Sequence, residues 1–220
     1  MKIVALIPAR GGSKRIPRKN LVMLNGKPLI YYAIKASLES NVDETFVSTE
    51  DMEIAKVSVN YGSKVLTRPP ELATDNATTD DVLLHFCEKA PGCDIIVLIQ
   101  PTSPMIRSEY INIGINMVKS KEWDSVFSSV PMHEADILFW ECNKYGMSPV
   151  NYDLNNRSRS VRKDNYKIEN GSFYVATRES ILSSKCRLSG RIGTVDIPFW
   201  MMFEIDTEED LKNIEKLMRD

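Results

Sequence analysis

Five consecutive apolar residues, Ile3 to Ile7, stand two places into the chain, and runs of this length then alternate with helical periodicity through most of its 220 residues. A short apolar run without polar alternation reads as a strand covered on both faces. Such strands separated by amphipathic helices build an α/β fold with a mostly parallel sheet covered by helices. The rhythm predicts strands at Ile3–Ile7, Glu44–Ser48, Ser63–Thr67 and Asp94–Ile99, the last the most apolar. Between them it predicts a helix opened by Pro28 at its first position and reaching about Ser40, a second at Asp51–Tyr61 stopped by Gly62, and a third at Asp80–Lys89. Pro101-Thr102-Ser103-Pro104 breaks the chain before a helix at Ser108–Lys119, and Ser125–Val130 continues the sheet. Further on come a strand at Gly171–Ala176, a short helix after Thr177, strands near Gly193–Ile197 and Met202–Ile205, and a final amphipathic helix to about Met218.

Between 131 and 169 the rhythm fails, and a polar stretch with Arg157, Arg159, Arg162 and Lys163 follows short apolar pieces such as Ile137–Trp140. We read residues 1–220 as one domain and 131–169 as a β-rich excursion from it, used for self-association, since an apolar hairpin projecting into water is not stable alone. A long surface loop is the alternative.

With 43% apolar and 26% charged residues the composition is that of an ordinary globular protein. A formal net charge of −2 removes the usual argument for a nucleic-acid or membrane-surface partner. The charge is unevenly spread, however: residues 1–38 hold eight Lys or Arg and no acid, leaving 20 basic and 30 acidic side chains for the rest. The N-terminal apolar run is too short for a signal peptide or a membrane span. Four cysteines (Cys87, Cys93, Cys142, Cys186) without C-x-x-C spacing and two histidines (His85, His133) argue against a zinc site and fit a reducing cytoplasm. His85 reads as a packed or capping residue.

Open α/β sheets bind ligands in the crevice at the carboxyl ends of their strands, which directs attention to the segments after Ile7 and Ile99. The first is Pro8-Ala9-Arg10-Gly11-Gly12-Ser13-Lys14-Arg15-Ile16-Pro17-Arg18-Lys19-Asn20. Two glycines allow close backbone approach, and five cations without an anion make the loop a receptor for a polyanion such as a triphosphate. It is neither a Walker loop nor the G-x-G-x-x-G dinucleotide fingerprint, which disfavours a nicotinamide dehydrogenase.

This loop resembles the signature loop of the acylneuraminate cytidylyltransferase family, enzymes that make CMP-activated nonulosonic acids. Four more stretches resemble the same family in the same order: Arg68-Pro69-Pro70-Glu71-Leu72-Ala73-Thr74-Asp75, Gln100-Pro101-Thr102-Ser103-Pro104, Asn170-Gly171-Ser172-Phe173-Tyr174 and Glu204-Ile205-Asp206-Thr207. The resemblance implies a Rossmann-like nucleotide-diphospho-sugar transferase fold, a homodimer, Mg2+ as cofactor, and CTP and a nonulosonic acid as substrates.

It also implies roles for particular residues. Arg10, Ser13 and Lys14 would wrap the CTP phosphates, with Lys19 near the nucleotide and Asn20 toward the ribose, roles that suit their charges and donors. Arg68 and the Ala77 backbone would meet the base and Thr79 the ribose. Gln100 would bind the sugar, which a primary amide suits because it both donates and accepts, with Asn170 on the opposite wall. Either Arg159 or Arg162 would hold the sugar carboxylate. Glu204 and Asp206, two apart on the expected strand and so on one face, would share the magnesium. The family pattern here is often Asp-x-Asp, and the longer Glu204 suggests ligation through water. Thr207 with Asp210 reads as the cap of the last helix.

Arg10, Lys14 and Asp206 are the catalytic set in this reading, in which the anomeric hydroxyl attacks the α-phosphate of CTP. The alternatives are a cytidylyltransferase for 3-deoxy-octulosonic acid, whose loop is similar but lacks the Lys19-Asn20 ending, and a non-catalytic nucleotide-sugar binding protein.

Overall fold

The computed structural model describes residues 1–90, 92–132, 140–144, 146–150 and 166–218. In chain order the strands and helices are β1 (Ile3–Pro8), β2 (Met23–Leu24), β3 (Lys27–Pro28), α1 (Leu29–Leu38), β4 (Glu44–Thr49), α2 (Met52–Asn60), β5 (Lys64–Thr67), α3 (Thr79–Lys89), β6 (Ile95–Ile99), α4 (Ser108–Lys119), β7 (Ser125–Met132), β8 (Trp140–Asn143), β9 (Gly146–Pro149), β10 (Tyr166–Thr177), α5 (Arg178–Ser184), β11 (Ile192–Asp196) and α6 (Glu208–Leu217).

Seven strands form one sheet in the order β11-β7-β10-β6-β1-β4-β5. Only β10 runs against its neighbours; every other adjacent pair is parallel. The predicted α/β architecture is therefore the observed one, and the central strands show why. Residues 4–7 of β1 and all of β6 are at most 2% exposed. The odd residues Ala5, Ile7, Val97 and Ile99 pack under α1, α2 and α4, while the even residues Val4, Leu6, Ile96 and Leu98 pack under α3 and α5. A third cluster seals the carboxyl end of the sheet, where Ile16 from the basic loop meets Ile205, Met201 and Ile214 of α6. The loop is thus anchored by an apolar residue amid its charges.

The chain leaves β1 for β4 and β5 on one side and returns to β6 on the other. The crevice between the carboxyl ends of β1 and β6 is the switch point at which such sheets bind ligands.

Several boundaries differ from the expectations. Pro28 stands just before the helix, with α1 beginning at Leu29. The two-residue strands β2 and β3, which the apolar rhythm does not register, close on Asn25-Gly26, both at positive φ (46° and 76°), as a tight hairpin demands. β10 begins at Tyr166, inside the predicted excursion. The described parts of that excursion are the end of β7, the antiparallel hairpin β8–β9 and the start of β10.

Met202–Ile205 is not a strand. After Pro198 a 3-10 turn spans Phe199–Met201, and the following residues pair with no sheet strand. Met201 and Ile205 are the buried positions, four apart, seated against α6, so their spacing is that of a coil docked on a helix rather than the alternation of a sheet.

Candidate functional site

A cavity of about 470 Å³ opens at the switch point. Arg10, Ser13, Lys14, Lys19 and Asn20 from the first loop line it, with Arg68, Ala77 and Thr79 from the segment after β5, Gln100 after β6, and Asp206 before α6. Four of the five resembling stretches thus converge on one space.

Each cation of the loop is held by a carboxylate. Arg10 Nη1 donates to the Thr74 carbonyl at 2.9 Å and lies 3.0 Å from Asp75 Oδ1, while Lys14 Nζ is 2.5 Å from Asp75 Oδ2. Arg15 Nη1 donates to Asp206 Oδ2 and Lys19 Nζ to Asp206 Oδ1, both at 2.9 Å. Arg18 pairs with Asp51 and Glu53. Lys19 also donates to the Ile205 carbonyl and is the most enclosed of the five, its side chain 16% exposed. Lys19 holds the Asp206 carboxyl below the ordinary carboxylate range against the opposing effect of burial.

Beneath the loop, the Gly11 amide donates to Glu50 Oε1 at 2.7 Å. A Cβ on Gly11 would stand 2.7 Å from Asp51 Oδ2, so the close approach requires glycine. Asn20, 4% exposed, ties the loop together by donating to the Arg10 carbonyl. Its Oδ1 is buried and meets no hydrogen-bond partner among the described residues.

Arg68 is 4% exposed and spends three of its five N–H groups on the Ser48 hydroxyl, the Ser48 carbonyl and the Leu72 carbonyl. Burial lowers its pKa to about 10, partly offset by Glu50, so it stays cationic at neutral pH with two donors to spare. Thr79 opens α3, which Thr78 and Asp81 cap reciprocally.

The sugar-side residues are more dispersed. Gln100 lines the cavity, and its backbone N–H donates to the Ser172 carbonyl at 2.9 Å, tying β6 to β10. Asn170 lies on the bulge that interrupts β10 between Glu169 and Tyr174, 8% exposed, donating to the Ser172 hydroxyl; it is set back from the cavity lining. Arg159, Arg162 and His133 lie outside the described residues. His85 sits half-buried on α3, its Nδ1 without a partner among them.

Without a strand at 202–205, Glu204 and Asp206 do not share a face by alternation. Asp206 lines the cavity, whereas Glu204 turns toward Ser103, whose hydroxyl donates to Oε1 at 3.1 Å. Burial raises the Glu204 pKa. Among the described residues no group of three His, Cys, Asp or Glu gathers. Asp206, the one of the pair at the cavity wall, fits magnesium, which takes one or two carboxylates with phosphate oxygens and water. Thr207 and Asp210 form the expected cap of α6.

Sequence reasoning counted Arg15 only among the loop's cations and gave no individual role to Glu50 or Asp75. The available signal was electrostatic: a five-cation loop with no acid of its own must find counter-charges elsewhere in the fold.

A cationic glycine loop thus stands at the switch point of a mostly parallel α/β sheet, lining the cavity there. Residues 4–219 match the family model described as cytidylyltransferase, and the chain belongs to that family. It is 36% identical over 210 residues to N-acylneuraminate cytidylyltransferase B of Danio rerio, a match covering 94% of this chain and 49% of that protein. It is also 36% identical over 229 residues to CMP-N,N'-diacetyllegionaminic acid synthase of Legionella pneumophila, covering 99% of this chain and 97% of that one. The chain spans about half the length of the first of these relatives and nearly all of the second. Its fold matches that of CMP:2-keto-3-deoxy-manno-octonic acid synthetase complexed with CTP, at TM-score 0.75 and 22% identity over 100% of this chain and 99% of the other.

Proposed function

We propose that the protein joins CTP to a nonulosonic acid, giving a CMP-sugar and pyrophosphate. The observation that carries this reading is the convergence of Arg10, Lys14, Lys19, Arg68, Gln100 and Asp206 on one cavity, each from a stretch shared with the family. The anomeric hydroxyl oxygen bonds to the α-phosphorus in line as the bond to the bridging oxygen of pyrophosphate breaks, and the hydroxyl proton leaves to solvent. Positioning and charge neutralisation supply most of the catalysis in such a step, without a Cys or Ser nucleophile.

Arg10 and Lys14 neutralise the leaving pyrophosphate, with Ser13 donating to its oxygens. Asn20 and Thr79 hold the ribose. Arg68 and the Ala77 backbone select the base, Arg68 through its two remaining N–H donors. Gln100 orients the sugar hydroxyls, and Asn170, behind it on the β10 bulge, supports that wall. Asp206 directly, and Glu204 through water, would hold a magnesium ion, which would supply positive charge against that of the triphosphate. The working form is a homodimer in which the β8–β9 hairpin, whose first strand is exposed along its length, packs on a second copy.

The test is pyrophosphate release from CTP with a panel of sialic, legionaminic, pseudaminic and 3-deoxy-octulosonic acids. Release with one or more of the nine-carbon acids is expected. Release with the eight-carbon acid alone would favour the octulosonic reading, and none with any acid would leave a binding protein.

A further inference from the structure

The two cations assigned above to the leaving pyrophosphate share one internal anion. Asp75 presents Oδ1 to Arg10 at 3.0 Å and Oδ2 to Lys14 at 2.5 Å. Two oxygens of one group spanning two cations is also how a phosphate would meet them. Asp75 lines the cavity with both partners and rides on an exposed turn, residues 74–76, between the 3-10 turn Pro70–Ala73 and α3. Ion pairs this exposed are individually weak, so a polyanion of higher charge can displace the carboxylate, and the turn offers it somewhere to go.

We infer that Asp75 is an internal competitor for the pyrophosphate seat, occupying Arg10 and Lys14 when no polyphosphate is bound and reclaiming them as pyrophosphate departs. The inference rests on the function proposed above. The energetic consequence is specific. Any ligand with a phosphate group at this seat must displace Asp75 and is weakened by a common factor, whereas CMP, which has no β- or γ-phosphate, avoids that competition. In the wild-type protein Asp75 therefore loosens CTP somewhat and limits inhibition by pyrophosphate.

Asp75→Asn removes the competing charge on an exposed turn while preserving side-chain shape. By isothermal titration in magnesium-containing buffer, the variant is expected to bind CTP and pyrophosphate about 3- to 10-fold more tightly than wild type, with CMP affinity unchanged. In turnover, pyrophosphate should become a stronger product inhibitor by a similar factor, and Asp75→Glu, which restores the charge, should return both quantities toward wild type. Equal or weaker binding of pyrophosphate and CTP by Asp75→Asn would overturn the inference, weaker binding indicating that Asp75 helps hold the ligand. If wild type binds CTP and pyrophosphate but Asp75→Asn does not differ, only this inference falls. If wild type binds neither, the proposed function falls with it.

Discussion

Asp206 answers to two cations of the loop at once, Lys19 through one oxygen and Arg15 through the other, and unlike Glu204 it lines the cavity. Asp206→Asn keeps the side chain's size but removes the charge that organises both cations and would hold magnesium. Pyrophosphate release is expected to fall nearly to background with an unchanged circular dichroism spectrum; near-normal release at saturating magnesium would refute the assignment. Arg10 makes a different prediction, because its contacts are to Thr74 and Asp75 rather than to Gln100 or Asn170. Arg10→Ala should raise the KM for CTP by about tenfold, the scale of one charge-assisted contact, and leave the KM for the sugar acid within about twofold. Steady-state kinetics with each substrate varied in turn separates the two effects.

At the scale of elements, the basic loop is joined to a helix cap. Asp51 caps α2 by accepting from the amides of Glu53 and Ile54, both at 2.9 Å, and the same carboxylate takes Arg18. Burial pushes the Asp51 carboxyl up, but the two amides and Arg18 more than offset this and hold it below its ordinary value. A carboxylate whose folded pKa is depressed adds stability that is fully present above the unfolded value and is lost as pH falls through the folded one. Asp51→Ala should cost about 1 kcal/mol at pH 7 in urea unfolding. Asp51→Asn keeps a cap oxygen and should cost less, with its deficit shrinking below about pH 4 as the wild-type carboxyl protonates. A deficit that does not change with pH would show that the charge on Asp51 contributes nothing. Elements also show where the sequence was legible. The buried strands β1 and β6 declare themselves because five apolar residues in a row fit nothing else of that length. Met202–Ile205 misleads because its apolar residues serve a docked coil, and only the three-dimensional position of α6 distinguishes that from a strand. The partners of the loop cations, Asp51, Asp75 and Asp206, lie about 30 to 190 residues away in sequence, and no local pattern announces such pairings.

For the whole molecule, five of the eight positive charges of residues 1–38 belong to the loop, and the acidic remainder supplies Asp51, Glu53, Asp75 and Asp206 to pair with them. A ligand that binds the cavity only in the folded protein adds to the stability of the entire fold, and the cysteines offer a means of reading that linkage. Cys87 and Cys93 are buried in the layer between the sheet and α3, whereas Cys142 is exposed on β8 and Cys186 is half-buried after α5. Burial pushes the Cys87 thiol up to about 11 and raises that of Cys93, which keeps both in the unreactive protonated form while the protein is folded. A thiol reagent in native buffer should therefore modify Cys186, which lies off the proposed dimer hairpin, promptly and the buried pair only through global opening. When reclosing outpaces labelling, the slow rate follows the population of the open state. CTP at about 100 times its dissociation constant should slow that phase about 100-fold, the effect of a ligand that binds only the folded protein, and leave the modification of Cys186 unaffected. Labelling followed by intact-mass spectrometry reads both phases in one experiment. Slow-phase rates indifferent to CTP would mean that the nucleotide does not bind the folded domain, and equal rates at Cys186 and the buried pair would mean that the layer between α3 and the sheet opens far more readily than its burial implies.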